Sequence, residues 1–338
     1  MTARELAFLE SAAARLKPLF ETAKTVALVT HVTPDGDGIG AEICLHSYLV
    51  SRGIETRILN TDPLPLKYRF LDTRGAVEVF DPERHDAFVR QADLIVMLDN
   101  SAPQRLGSIE AATRASRATT VCIDHHNLTD PFWKVSIVDP EASATGELVY
   151  RLIKTLGGRP DFAATQAAYV SLVTDTGYFR FGKTSPGAHE SAADMLAQGV
   201  SPPRVYSEVF ERHSAALVRL GGIALKDLRL EEGDRLAWIT MTREQVAGCG
   251  AELEDTSDIV NELLTIDGVK VAALFKGIED DRVKLSLRSK GPLDVNKIAQ
   301  SFGGGGHTNA SGAVIPGTID EVAARVLAAC RELVRRGA

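Results

Sequence analysis

Short apolar runs separated by longer helical patterns constrain the fold of this chain more than any other feature. The segments that we predict to be strands in the first two-thirds of the chain are Thr25–Thr30, Glu55–Asn60, Leu94–Leu98 and Thr119–Ile123. Helical patterns cover Gly38–Ser51, Gly146–Leu156 and Phe162–Val173. Gly53 is the predicted C-terminal cap for the first of these helices. Apolar strands that alternate with helices are typical of a mostly parallel sheet flanked by helices. The sequence therefore predicts an α/β fold.

A second, smaller α/β pattern follows a helical stretch. We predict one or two helices over Val205–Leu230, after two consecutive prolines. The elements predicted beyond this stretch are strands at Leu236–Met241, Val269–Phe275 and Val283–Leu287 and helices at Asp294–Gln300 and Ile319–Arg335. We expect an N-terminal domain over residues 1–188, a helical linker over 189–215 and a smaller C-terminal α/β domain over 216–338.

The charge balance limits the class of partner. The 338 residues include 38 Lys and Arg against 45 Asp and Glu, which gives a formal charge of −7. This acidic total argues against a protein that binds long duplex nucleic acid nonspecifically, because such a protein needs a basic surface. An anionic substrate stays compatible with the sequence, because bound metal ions can reverse the sign of a local acidic site.

Targeting signals and cysteine usage both point to the cytoplasm. The first residues carry Glu5 and Glu10 within a helical pattern and lack the charged-then-apolar order of a signal peptide. No apolar run approaches the length of a membrane span. The four cysteines are scattered without a Cys-x-x-Cys pair, which favours buried, reduced thiols. We expect a cytoplasmic protein with no membrane partner.

Acidic and histidine residues fall where the predicted strands end. Those that follow the strands are His31, Asp35, Asp37, Asp99, Asp124, His125 and His126, and Asp175 follows the apolar segment YVSLVT. In an open parallel sheet, ligands bind outside the carboxyl ends of the strands. We therefore expect three strand ends, and a fourth group from a helix end, to deliver these side chains to one edge.

Each of these residues alone has an ordinary structural explanation. Asp35 and Asp37 suit a turn or a helix N-cap, Asp99 could cap the next segment, and a single histidine is more often structural. Their coincidence favours a metal site, because converging carboxylates would repel one another. Mixed carboxylate and imidazole ligands suit Mn²⁺, with Mg²⁺, Co²⁺ or Zn²⁺ as alternatives. Two such ions can activate water for phosphoester hydrolysis.

These residues also carry a family resemblance. The segment H-x-x-P-D-G-D that begins at His31, together with Asp99, the tripeptide Asp124-His125-His126 and Asp175, closely resembles the four motifs of the DHH phosphoesterase superfamily. The segment GGGHTNASG, over residues 304–312, is similar to the signature of the accompanying DHHA1 domain. Chain length and linker resemble the NrnA-like subfamily. That resemblance implies a hydrolase that degrades nanoRNA and removes the 3′-phosphate of adenosine 3′,5′-bisphosphate.

The resemblance implies a role for each motif residue. The first divalent ion would be held by His31, Asp35 and Asp99, and the second by Asp37, Asp99, His125 and Asp175. Asp99 would bridge the two ions, which we expect to be Mn²⁺, with Mg²⁺ or Co²⁺ as alternatives. His126 would contact the scissile phosphate, and Asp124 would support the adjacent histidines.

The C-terminal glycine run supplies a second set of candidates. A glycine run alone favours a flexible turn, but it can also present backbone N–H groups to an anion. The predicted substrate-binding residues are Arg288, Gly304, Gly305, Gly306, His307, Asn309 and Ser311. The resemblance places the loop and Arg288 at an inter-domain cleft that would favour short RNA oligonucleotides and phosphorylated nucleotides as partners.

Several other functions stay open at this point. A pyrophosphatase of the same superfamily would carry a different basic C-terminal motif, and a long-strand exonuclease would need additional domains. Cleavage of a cyclic dinucleotide is a further alternative, although such enzymes often carry membrane or sensory domains. A noncatalytic nucleotide sensor would be expected to lack one or more metal ligands. A homodimer is equally compatible with the sequence.

Overall fold

The first two-thirds of the chain builds a six-stranded parallel sheet covered by helices. The computed structural model describes residues 2–126, 130–250, 256, 259–279 and 281–336. These residues divide into two units, with the boundary between Arg212 and His213. The strands of the first unit are β1 Thr25–Val29, β2 Glu55–Asn60, β3 Val77–Val79, β4 Leu94–Leu98, β5 Thr119–Asp124 and β6 Val135–Val138. Its helices are α1 Ala3–Thr22, α2 Gly36–Ser51, α3 Pro82–Gln91, α4 Glu110–Arg114, α5 Thr145–Thr155, α6 Phe162–Asp175, α7 Pro186–Ala197 and α8 Pro202–Phe210, with 3₁₀ segments at Leu66–Leu71 and Pro103–Ile109.

The strand order indicates where a ligand would bind. The order is β3-β2-β1-β4-β5-β6, and every neighbouring pair is parallel. The chain moves outward from β1 in one direction and then returns to place β4 on the other side of β1. Ligands of open α/β sheets bind at such a reversal, beyond the carboxyl ends of the strands. The residues that follow β1 and β4 therefore flank this position.

The core explains why the predicted strands form. All five residues of β4 are buried, and so are the last four of β1, because helices cover both faces of the sheet. Helix α2 lies close to α6, and a Cβ at Gly40 would come within 2.4 Å of the Ala167 carbonyl oxygen. Glycine at this position lets the two helices approach each other.

The second unit has its own sheet and core. Its strands are β7 Arg229–Glu231, β8 Leu236–Met241, β9 Val271–Glu279, β10 Arg282–Ser289, β11 Gly305–His307 and β12 Ala310–Pro316. Its helices are α9 Ala215–Lys226, α10 Arg243–Cys249, α11 Ile259–Leu263, α12 Asn296–Ser301 and α13 Ile319–Arg336. The order is β11-β12-β10-β9-β8-β7, with only β8 and β9 parallel among the described pairs. The apolar side of α13 packs into the core through Val322, Val326 and Cys330.

The predicted α/β fold is confirmed, with local differences. Helix α2 begins two residues earlier than predicted, because Asp35 caps it. Gly53 lies just beyond its end with a φ of 78°, as expected for a C-terminal cap. The prediction of helix up to Leu230 was wrong for the last residues, because Leu230 pairs with Ala237 in an antiparallel ribbon. The three-part division at residues 188 and 215 stays a prediction. None of the helices in the described part of the chain has the length and apolar character that a membrane crossing requires.

Candidate metal centre

The loop after β1 places two aspartates in different surroundings. Asp35 accepts hydrogen bonds from the backbone N–H groups of Asp37 and Gly38, at 3.0 and 3.1 Å, and so caps helix α2. Its side chain is 54% exposed, whereas Asp37 is buried. The helix-capping explanation considered for Asp35 is therefore correct, and it leaves the second carboxylate oxygen facing His31 Nε2 at 3.9 Å.

The carboxylate of Asp37, a residue of α2, lies at the N-terminus of a second helix, α5. Its two oxygens accept backbone hydrogen bonds from Thr145 at 2.8 Å and Gly146 at 2.9 Å, the first residues of α5. The Ser171 hydroxyl of α6 also donates to Asp37. A helix N-terminus stabilises negative charge. Residues more than a hundred positions away therefore fix this carboxylate.

Asp99 occupies the middle of the cluster. It follows β4 with a φ of 60°, a left-handed conformation that is uncommon for a residue with a side chain. Its Oδ2 lies 3.6 Å from His31 Nε2, and its Oδ1 lies 3.7 Å from His125 Nε2. Thr145 Oγ1 donates to Oδ1 at 3.0 Å. The two oxygens thus face histidines from two different strand ends.

The two histidines after β5 have different environments. His125 Nε2 lies 3.5 Å from Asp37 Oδ2 and 3.4 Å from Asp175 Oδ2, while its Nδ1 lies 3.1 Å from the Ala142 carbonyl oxygen. That carbonyl selects the tautomer with the proton on Nδ1, which leaves Nε2 available as a metal ligand. His126, in contrast, turns its Nδ1 toward the Asp124 carboxylate.

Asp124 binds its neighbours with both oxygens. Oδ1 accepts from the His126 backbone N–H at 2.9 Å and from His126 Nδ1 at 2.8 Å. Oδ2 accepts from the hydroxyl of Ser101. These bonds outweigh burial and hold the pKa of Asp124 well below its usual range. The arrangement is the one expected of a carboxylate that orients histidine side chains.

Burial and mutual repulsion alter the other carboxyl groups. Burial, followed by the charge of Asp37, raises the pKa of Asp99. Burial also raises the pKa of Asp37, and it raises the pKa of Asp175 to about 7, with a further contribution from Asp35. Burial lowers the pKa of His31 and His125. Divalent cations would compensate these charges, so the set of donors fits a metal centre.

The predicted ligands form compact groups. Among the described residues of the first unit, three groups have ligand atoms within 4.8 Å of one another: His31 with Asp35 and Asp99, Asp37 with His125 and Asp175, and Asp99 with Asp124 and His126. The first has the same members as the ligand set expected for one ion, and the second has those expected for the other ion apart from Asp99, whose Oδ1 lies 3.7 Å from His125 Nε2. The metal-binding roles themselves stay predictions. The contributions of Ser101, Thr145 and Ser171 had no signal in the sequence, since each depends on a contact between distant segments.

The C-terminal candidates lie on one hairpin and the adjoining strand. Gly305 and Gly306 pair with β12, and a Cβ at Gly304 would come within 2.0 Å of the Gly312 carbonyl oxygen. Close backbone packing is thus one reason for the glycines. Arg288, on β10, donates to Asn261 Oδ1 at 3.2 Å. Asn309 Nδ2 donates to Ser289 Oγ at 2.8 Å.

The other two candidates belong to the same hairpin. His307 ends β11 and pairs with Ala310. Ser311 is buried and pairs with Leu287 of β10. Several of these side chains already have structural partners. Substrate binding by this set stays a prediction.

Fold and site together define a phosphoesterase of the DHH family. Residues 25–174 match the DHH family N-terminal domain, and residues 242–336 match the DHHA1 domain. The chain belongs to the DHH family and carries the DHHA1 domain that accompanies it, as the motifs predicted.

Named relatives and a solved structure cover most of the chain. The bifunctional oligoribonuclease and PAP phosphatase NrnA of Thermus thermophilus is 31% identical over 312 residues, covering 92% of this chain and 90% of the relative. The protein of the same name from Bacillus subtilis is 28% identical, covering 86% and 89%. The crystal structure of an exopolyphosphatase-related protein from Bacteroides fragilis matches with a TM-score of 0.89 and 27% identity, covering 96% and 98%.

Proposed function

We propose that this protein hydrolyses short oligoribonucleotides, including nanoRNA and linear dinucleotides such as pApA, to mononucleotides. We further propose that it removes the 3′-phosphate of adenosine 3′,5′-bisphosphate (pAp). The observation that carries the proposal is the convergence of Asp37, Asp99 and Asp175 with His31 and His125 at one edge of the sheet. The Thermus and Bacillus relatives named above, whose names state these activities, support the choice of substrates.

Two divalent ions, Mn²⁺ with Mg²⁺ or Co²⁺ as alternatives, fit the two ligand groups. The groups proposed to hold them are His31, Asp35 and Asp99 for one ion and Asp37, Asp99, His125 and Asp175 for the other. Bound ions would lower the pKa of a water molecule and neutralise the charge that develops on the phosphoryl group. The set of oxygen and nitrogen donors without thiolates suits these metals.

The other side chains position the ligands and the substrate. Asp124 fixes the His126 ring through Nδ1, and Nε2 is the nitrogen proposed to contact a phosphate oxygen. Hydrogen bonds from Thr145 and Ser171 hold Asp99 and Asp37 in place before metal binds. Such preorganisation reduces the reorganisation needed at the moment of reaction.

The C-terminal residues are proposed to bind the end of the substrate away from the metals. Arg288 offers a guanidinium suited to phosphate, and Gly305, Gly306 and His307 lie on the β11–β12 hairpin, whereas the Gly304 N–H already donates to the Ala299 carbonyl oxygen. This division of labour favours short substrates over long strands. Arg288→Ala should therefore raise KM for pApA more than it lowers kcat.

A substrate panel tests the proposal. Hydrolysis of pApA, pAp, a cyclic dinucleotide, pyrophosphate and a 20-mer RNA is measured with Mn²⁺ and with EDTA. We expect turnover of pApA and pAp that requires metal, and slow turnover of the 20-mer. Asp99→Asn, which replaces the shared ligand, should remove this activity, whereas Arg117→Gln, at an exposed arginine two residues before β5, should not. Preference for the cyclic dinucleotide or pyrophosphate, or turnover that EDTA does not reduce, would contradict the proposal.

A further inference from the structure

We propose that Arg105 is an additional phosphate-binding residue of the N-terminal site, an inference that rests on the proposed function for its substrate. In this proposal, the guanidinium donates hydrogen bonds to a non-bridging phosphate oxygen next to the His31 ligand group. The first observation is a contact between Arg105 and His31, in which Arg105 Nη2 lies 3.0 Å from His31 Nδ1.

The backbone of Arg105 is fixed beside the ends of β1 and β4. Its carbonyl oxygen accepts from Val32 N at 2.8 Å, and its own N–H donates to the Ala102 carbonyl at 3.0 Å. The turn that follows is equally constrained. Gly107 has a φ of 64°, and a Cβ there would lie 2.7 Å from side-chain atoms of Thr61 and of Val32. The location of Arg105 at the strand reversal is therefore set by the fold.

The imidazole of His31 cannot serve two partners through one nitrogen. Its Nδ1 lies 2.7 Å from the Val32 carbonyl oxygen as well as 3.0 Å from Arg105 Nη2. A neutral ring nitrogen either donates a proton or accepts one. Nε2 faces Asp99 Oδ2 at 3.6 Å, the direction of the proposed metal. When Nε2 is a ligand, Nδ1 carries the proton and donates to the Val32 carbonyl, because a metal-bound histidine usually donates its other ring N–H to a carbonyl or carboxylate oxygen.

Arg105 then loses His31 as an acceptor. Within the part of the chain that the structure describes, Arg105 has no carboxylate within ion-pair distance, although the Asp35 and Asp99 carboxylates belong to the same ligand group as His31. Its side chain is exposed, while His31 beside it is buried. A forked cation that is open to solvent and adjacent to a metal group matches the geometry of a phosphate oxyanion. Metal binding at His31 thus prepares Arg105 to receive the substrate.

Binding of inorganic phosphate tests this inference without relying on turnover. The Mn²⁺-loaded full chain is titrated with phosphate by calorimetry, as wild type, Arg105→Gln, Arg105→Lys and Arg117→Gln. We expect Arg105→Gln to weaken phosphate binding at least about tenfold, as loss of a charge-assisted hydrogen bond predicts. Arg105→Lys should weaken it less, because the charge remains without the fork. Arg117→Gln should bind phosphate as wild type does, and all four proteins should bind the same amount of Mn²⁺.

Three results would overturn the inference. They are unchanged phosphate affinity in Arg105→Gln, absence of phosphate binding in the Mn²⁺-loaded wild type, and loss of Mn²⁺ together with phosphate in Arg105→Gln. The last would mean that Arg105 acts only by supporting His31. Parallel assays with pApA and pAp separate this inference from the proposed function. If wild type hydrolyses neither substrate while Arg105→Gln still weakens phosphate binding, the proposed function fails and the role of Arg105 stands.

Discussion

The Thr145 hydroxyl donates a 3.0 Å hydrogen bond to Asp99 Oδ1, while the backbone N–H of the same residue donates to Asp37 Oδ2 at 2.8 Å. One residue at the start of α5 therefore holds two carboxylates, one at the start of α2 and one directly after β4. The N-terminus of the helix and its first hydroxyl act together on the central acids of the cluster.

Removing only the hydroxyl isolates one of these contacts. Thr145→Val keeps the shape of the side chain and the backbone bond to Asp37 but releases Asp99 Oδ1. We expect roughly 10-fold weaker Mn²⁺ binding, which is typical when a residue that hydrogen-bonds a metal ligand is mutated. Thr155→Val, which removes an exposed hydroxyl bonded to the Arg151 carbonyl at the other end of α5, is the matched control. Equal Mn²⁺ affinity of the two variants in calorimetry would disprove a role for the Thr145 hydroxyl.

Substitution of Asp124 distinguishes a residue that orients a histidine from a residue that binds metal directly. Its oxygens accept bonds from Ser101 and His126, so Asp124→Asn should leave the metal count unchanged while releasing the His126 ring. We expect a fall in kcat for pApA of about 10- to 100-fold, with two Mn²⁺ still bound per chain. Ser101→Ala, which removes one of the donors, should give a smaller fall. Loss of one Mn²⁺ in Asp124→Asn, measured by elemental analysis, would instead identify Asp124 as a ligand.

Glu42 makes stability depend on pH at a position apart from the ligands. This α2 residue is fully buried, and burial raises its pKa to about 8 although Asn60 Nδ2 donates to Oε2 at 2.8 Å. The folded state therefore keeps a proton that the unfolded chain releases above its ordinary pKa. Stability must fall as pH rises from about 4.5 to about 8, by at most ~1.4 kcal/mol per pH unit.

Glu42→Gln removes this titration while keeping an oxygen for Asn60. Denaturant unfolding of the metal-free protein at several pH values should show wild type losing stability relative to Glu42→Gln between pH 5 and 8. Glu55→Gln, at an exposed position on β2, should follow wild type. A constant difference between wild type and Glu42→Gln across this range would show that Glu42 is ionised in the folded protein.

The convergence of the acidic and histidine side chains could be predicted from the sequence, because the topology of a parallel sheet determines where strand ends lie. His31, Asp99 and His125 follow strands whose apolar residues are unmistakable, and neighbouring parallel strands end at one edge. The aspartate at the end of α6, Asp175, was also anticipated as a contribution from a helix end.

The supporting contacts could not be predicted in the same way. Ser101 and Thr145 belong to loops or helix starts whose partners lie far away in the chain, and no periodic pattern marks them. Short, half-exposed strands such as β3 lack a continuous apolar run, which is why they gave no signal. The helical stretch predicted over Val205–Leu230 overlaps the first two residues of the strand Arg229–Glu231, because the partner strand, rather than local composition, determines the conformation there.

Crystals soaked with Mn²⁺ test the central claim most directly, through the anomalous scattering of the metal. We predict two peaks about 3.5–4 Å apart, as in other two-metal sites. One peak should lie beside His31 and Asp35, the other beside Asp37, His125 and Asp175, and Asp99 should lie between them. A single peak at this edge of the sheet, or peaks that avoid these side chains, would contradict the account.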